Sequence, residues 1–117
     1  MLVLFDHGTP RTLARHLIDH HTVTEARARG WERVENGELL RVAEAAGFEV
    51  LVTTDQNLSY QQNLKSRKIA IVVLGKGQWS LIKARIPEIV AAVDSATQGS
   101  FTEVDIPFRS QRPRESE

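Results

Sequence analysis

The feature that most narrows the fold is a set of short, unbroken apolar runs separated by stretches with helical spacing. Leu2 to Phe5, Val50 to Val52 and Ile69 to Leu74 are apolar throughout, and the last is rich in β-branched residues. A strand with one wet face alternates apolar with polar. A strand that is apolar at every position is buried on both faces, as in a parallel sheet covered by helices. The segments between the runs supply those helices. Leu13, Ala14, Leu17 and Ile18 recur at helical spacing. They predict a helix capped by Thr9, with Pro10 at its first position, ending near His20 and His21. Leu39, Leu40, Ala43 and Ala46 predict a second helix from Asn36, stopped by Gly47. Residues 58–66 read as a short helix. Ile82, Ile86, Ile89, Val90 and Val93 carry a last helical pattern, which either kinks at Pro87 or restarts there. Thr22 to Thr24 reads as a short strand, 25–35 as a charged loop with at most one helical turn, 49–54 as a strand and 102–106 as an edge strand. The expected fold is a three-layer α/β/α domain over residues 1–108 with a mostly parallel central sheet and right-handed crossovers. Residues 109–117 read as a polar, disordered tail.

A chain of 117 residues suits one such core. No stretch approaches the ~20 apolar residues that cross a bilayer. Met1 to Phe5 runs straight into Asp6, unlike a leader segment. No membrane association is expected. The absence of cysteine excludes a disulfide scaffold and a thiolate metal site, and fits the cytoplasm. Fifteen basic side chains balance fifteen acidic ones, so the formal net charge is zero. A protein that holds nucleic acid by bulk charge is basic, so any RNA contact here must use a local patch or a partner's surface.

In open parallel sheets, sites gather at the carboxyl ends of the strands. Asp6 closes the first apolar run, and Asp55 closes the run that begins at Val50. Neighbouring strands lie about 5 Å apart, so adjacent strands would bring these carboxylates together. Converged carboxylates repel unless one takes a proton or a cation sits between them. Mg²⁺ and Mn²⁺ accept such all-oxygen ligands and can activate a water against a phosphate. The competing reading makes each aspartate the cap of a turn or helix. Asn36 reads as an N-cap and Glu38 as a first-turn acid favoured by the helix dipole. They become ligands only if that helix starts at the acids. Thr53 and Asn57 are supporting candidates, as a hydrogen-bonding partner and a neutral ligand. His7 adjoins Asp6 and is placed to touch a phosphate. His16, His20 and His21 read as surface residues, and no histidine pair has metal spacing with a third ligand. No serine lies in a nucleophile elbow, and Gly75-Lys76-Gly77 is too short for a P-loop. Lys65, Arg67, Lys68 and Lys76 form a basic cluster, by default a solvated face and in the sharper reading an RNA-phosphate patch.

Together these motifs resemble a family. The opening Leu-Phe-Asp-His-Gly-Thr-Pro-Arg-Thr-Leu-Ala-Arg-His-Leu, then Gly30-Trp31, Asn-Gly-Glu-Leu-Leu at 36–40, Gly47-Phe48, Leu-Val-Thr-Thr-Asp-Gln-Asn-Leu at 51–58 and Tyr-Gln-Gln-Asn-Leu at 60–64 are similar to the short PIN-like proteins. The resemblance covers roughly residues 1–98. These proteins are often assigned as toxins of bacterial toxin–antitoxin pairs. The resemblance implies a ribonuclease holding Mg²⁺ or Mn²⁺ with three or four acids. The first family acid matches Asp6, and the Thr-x-Asp motif matches Thr53 and Asp55. The acid that opens a helix falls on Asn36, with Glu38 as its substitute. A further aspartate falls on Asn57. The early glutamate has no secure match, with Glu25 and Glu35 as candidates. RNA, an antitoxin protein and a second copy of the chain are the implied partners.

Two other functions fit parts of the pattern. One is a PIN-like module with a degenerate site that works through a protein partner, which the missing acids favour. The other is a receiver-like phosphoacceptor centred on Asp55. That domain wants paired acids after the first strand and a hydroxyl where Val73-Leu74 ends, and neither is present.

Overall fold

The computed structural model describes residues 1–34, 36–54, 67–75 and 79–106, with backbone alone at 36 and 37. The three apolar runs are the central strands. β1 (Leu2–Phe5), β2 (Thr22–Glu25), β3 (Val50–Thr53), β4 (Ala70–Leu74) and β5 (Phe101–Val104) form one five-stranded sheet in the order β2-β1-β3-β4-β5. Every pairing is parallel. β3 and β4 are buried at every residue, as continuous apolar runs require. The strand expected at 102–106 is β5, set one residue earlier and at the sheet's edge.

Alternate residues of each strand feed two cores. Val3, Phe5, Val50, Val52, Val72 and Leu74 face Leu13, Leu17, Ile82, Ile89 and Val93. Leu4, Leu51, Ile71 and Val73 face Ala26, Leu39, Leu40, Ala43 and Phe48. This two-sided burial produces the expected α/β class.

The helices differ in detail from the periodicity. The first is a 3₁₀ helix over Arg11–His16 rather than an α-helix reaching His20. Thr9 does not cap it. Its side chain turns back towards the end of β1, and Pro10 occupies the cap position without a side-chain hydrogen bond. Ile18, expected on the buried stripe, is 60% exposed because the helix has already ended. Ala26–Arg29 is the single helical turn expected in the charged loop. α1 spans Asn36–Ala45 and stops at Gly47, whose φ of 93° belongs to the left-handed region. Gly47 N–H donates to Glu44 O and Phe48 N–H to Ala43 O, the paired bonds of a glycine-terminated helix. The last pattern divides into α2 (Trp79–Ile82), a 3₁₀ turn (Lys83–Arg85) and α3 (Ile86–Asp94). Pro87 therefore lies in the first turn of a new helix, where its missing N–H costs nothing. The helix expected at 58–66 and the tail lie outside the described residues.

Among the described connections, two differ in hand. The β1→β2 and β4→β5 links move across the sheet in opposite directions, yet both pack on the Val3–Phe5 face. They are therefore of opposite hand. The β2→β3 link crosses the other face through α1 and shares the hand of β1→β2. The right-handedness that the sequence leads one to expect therefore cannot hold at every crossover. α3 packs over the core shared with the first 3₁₀ helix, and Asp94 at its end meets His21, whose Nε2 lies 2.6 Å from Asp94 Oδ1.

Candidate active site

The strand order reverses between β1 and β3. The chain leaves β1 towards β2 on one side and returns to β3 on the other. At such a switch point the two loops diverge and leave a crevice at the carboxyl ends of the strands. Asp6 follows β1 there, and Phe5 pairs with Val52, so Asp6 lies level with Thr53. Asp6 N–H extends the ladder to Val52 O at 3.1 Å. The adjacency on which the convergence of Asp6 and Asp55 depends is therefore present. Asp55 itself lies outside the described residues, as do Asn57, Lys65 and Lys76.

The Asp6 carboxylate is 6% exposed and receives three neutral donors. Oδ1 accepts from Gly8 N–H at 3.1 Å and from the Thr9 hydroxyl at 2.9 Å. Oδ2 accepts from the Thr53 hydroxyl. The bond to Gly8 closes an Asx-turn, reinforced by Thr9 N–H donating to Asp6 O at 3.1 Å. Thr9 and Thr53 are themselves buried. Thr9 Oγ1 also lies 2.9 Å from Val52 O, so its one proton has two acceptors within reach. A Cβ at Gly8 would stand 2.6 Å from Thr54 Oγ1, so a larger residue there would force the Thr54 side chain to move. Among the described residues no cation forms an ion pair with Asp6. Its described partners are all neutral dipoles.

Among the described residues, His7, Glu38 and Glu25 make no hydrogen bond to the Asp6 carboxylate. His7 is exposed in the turn beside Asp6. Glu38 lies in the first turn of α1 and pairs with Arg41, whose Nε donates to Glu38 Oε1 at 3.0 Å. That hydrogen bond, helped by the guanidinium charge, holds the Glu38 carboxyl below its ordinary range. Glu25 pairs with Arg11 at 2.9 Å rather than turning to Asp6. The Asn36 side chain and Glu35 lie outside the described residues. Among the described residues no three of His, Asp and Glu gather as a metal cage.

Arg67 and Lys68 stand at the other end of the sheet. They lead into β4, whose five residues span about 16 Å. Glu44, near the end of α1, anchors both. Arg67 Nη1 donates to Glu44 Oε1 at 3.0 Å, and Lys68 N–H to Glu44 Oε2.

Sequence reasoning missed Gly8 and Thr9 as parts of the site. The signal was available, since Asp-x-Gly-Thr after a strand is an Asx-turn pattern as much as a helix cap. The site's chemistry is that of a hard, all-oxygen corner. Asp6 keeps acceptor capacity on Oδ2 beyond the Thr53 bond, and a carboxylate without a cationic partner among the described residues fits a divalent cation.

No protein family, curated protein or solved structure matches this chain. Among the described residues no helix is long and apolar enough to cross a membrane.

Proposed function

We propose that this protein is a PIN-like endoribonuclease dependent on Mg²⁺ or Mn²⁺, of the kind that serves as the toxin of a toxin–antitoxin pair. One observation carries the reading. Asp6, a buried carboxylate without a cationic partner among the described residues, sits at the β1/β3 switch point, and β3 is the strand that leads to Asp55. In this reading Asp6 and Asp55 hold the metal. Thr53, Thr9 and the Gly8 N–H fix the Asp6 carboxylate by bonding its lone pairs. The metal supplies a polarised phosphate and an activated water. His7, exposed beside Asp6, is placed for a substrate phosphate.

A calorimetric titration with Mn²⁺ tests this on native protein, Asp6→Asn and Asp55→Asn. Native binding lost in both variants is the expected result. No binding to native protein at millimolar Mn²⁺ sinks the reading. That outcome would favour the second reading, a degenerate PIN-like module acting through a protein partner. The Glu38–Arg41 pair supports this second reading, because it occupies the acid that would replace the family's third.

A further inference from the structure

Of the basic residues that the sequence groups as an RNA patch, only Arg67 and Lys68 are among the described residues, and they are not beside Asp6. Arg67 and Lys68 lie at the amino end of β4, and Arg67 is bound to Glu44. The carboxyl end carries different cations. Arg11 opens the 3₁₀ helix that follows the Asp6 turn, and Arg27 lies in the turn that follows β2. β2 is an edge strand, and Glu25 at its end is in register with Phe5, one residue before Asp6. A groove of about 400 Å³ follows this free edge, with Arg11, Val23, Glu25 and Arg27 in its lining.

The groove offers donors from both backbone and side chains. Thr22 N–H points inward to Met1 O at 2.9 Å. In a parallel ladder alternate residues face the same neighbour, so Thr24 also turns inward, while Val23 and Glu25 direct their N–H groups to the open edge. Arg11 uses Nε on Glu25, and its side chain is 72% exposed, which leaves its terminal nitrogens for another acceptor. Arg27 is exposed and has no ion-pair partner among the described residues.

We propose that this groove is the RNA-docking surface, holding the phosphodiester backbone of a single strand on Arg11 and Arg27, one strand away from Asp6. The proposal rests on the nuclease reading, which names RNA as the ligand. Forked guanidinium groups bind phosphate oxygens in pairs, and outward backbone N–H groups add sequence-independent contacts. A chain of zero net charge needs such a local patch. The edge of β2 is too short to hold a peptide by backbone pairing alone.

The test is fluorescence polarisation of a labelled single-stranded oligoribonucleotide with the full chain in EDTA, at about 50 and 200 mM salt. EDTA separates docking from metal-dependent cleavage. The Arg11→Gln/Arg27→Gln double variant should bind at least ~10-fold more weakly, with the salt slope reduced by about 1 to 2. Arg67→Gln should bind as native protein does. Each of these results overturns the proposal: no oligoribonucleotide saturates the native chain at low salt; the double variant matches native protein; or Arg67→Gln loses as much affinity as the double variant. Competition by an acidic peptide of equal charge at equal concentration also overturns it, in favour of a protein ligand. The Mn²⁺ titration is independent. Loss of metal binding with RNA binding intact sinks the nuclease reading and leaves the groove, and the converse sinks the groove alone.

Discussion

Two carboxylates at opposite ends of the sheet receive similar numbers of donors and are treated differently. Glu44, at the amino end, is about a quarter exposed and accepts from the Arg67 guanidinium and the Lys68 N–H. Asp6, at the carboxyl end, is buried and accepts from two hydroxyls and one backbone N–H, all neutral. Glu44 is a closed ion pair that clamps the approach to β4 against α1. Asp6 accepts three hydrogen bonds yet meets no cation among the described residues. Burying such a charge is costly unless it is paired or coordinates a metal. The comparison therefore sets an ion-paired acid against one that meets only neutral donors among the described residues, the contrast on which the proposed metal site rests.

The largest effect that can break this comparison is at Asp6. Asp6→Ala removes the acceptor for three buried or half-buried donors. It should cost about 2–4 kcal/mol in urea denaturation. Asp6→Asn keeps one acceptor oxygen and an amide that can face the Thr53 hydroxyl. It should fall within about 1 kcal/mol of native protein while abolishing Mn²⁺ binding. If the asparagine variant loses as much stability as the alanine variant, the charge itself holds the turn. Asp6 is then a cap of the same kind as Glu44.

Glu44→Gln comes next. It discards the anion but keeps an acceptor, and both partners are partly shielded, so the expected loss is about 1–2 kcal/mol. The loss should shrink in high salt. Mn²⁺ binding should not change, because the site lies a strand length away. A changed metal affinity in this variant would mean that the two ends are coupled, and the contrast would fail.

Thr9 offers a smaller and sharper test. Thr9→Val keeps the shape and removes the hydroxyl, and Val52 O still receives the Asp6 N–H. The stability cost should be about 1 kcal/mol. Mn²⁺ affinity should fall about 10-fold, the usual effect of removing a hydrogen bond that orients a metal ligand. Thr9→Ser should restore most of both. Equal metal affinity in Thr9→Val and native protein would leave Thr9 a turn residue only.

How far this arrangement was legible in the sequence depended on how local its cause was. β3 and β4 were readable because continuous β-branched runs have one stable use, a strand buried on both faces. Gly47 was readable because a helix end in the left-handed region favours glycine. The first helix was overextended because Leu13, Leu17 and Ile18 fit a helical stripe equally well as a short 3₁₀ turn followed by bends. Only tertiary packing decided that Ile18 stays outside. Thr9 was misread because Ser and Thr hydroxyls serve helix caps and strand-end turns alike. Arg67 and Lys68 lead into the amino end of β4, a strand length from Asp6, which their sequence neighbourhood does not reveal. The groove at Arg11 and Arg27 was invisible because two distant arginines meet only once β2 is placed at the edge. The hand of the β4→β5 link could not be read at all, since handedness is a property of layers rather than of residues.

The smallest effect concerns Glu38, and its value lies in its sign. The Arg41 hydrogen bond and charge hold the Glu38 carboxyl below its ordinary range, while Arg41 is raised in return. A carboxyl whose folded pKa is depressed contributes its stability above the unfolded value, about 4.3, and loses it as pH falls through the folded value. The pair is solvent-exposed, so Glu38→Gln should be almost silent at neutral pH in denaturant melts. Any small deficit relative to native protein should shrink as the pH falls below the unfolded value and vanish once it has passed the lowered folded value. Metal binding gives a different prediction. If Glu38 leaves Arg41 to complete the site at Asp6, Glu38→Gln weakens Mn²⁺ binding, and Arg41→Gln strengthens it by releasing the carboxylate. If the ion pair is all that Glu38 does, neither variant moves the Mn²⁺ isotherm. The present geometry, with Arg41 Nε at 3.0 Å from Glu38 Oε1, favours that second result. A silent Glu38 would confine the metal to Asp6 and Asp55, and one or two carboxylates with waters are enough for Mg²⁺.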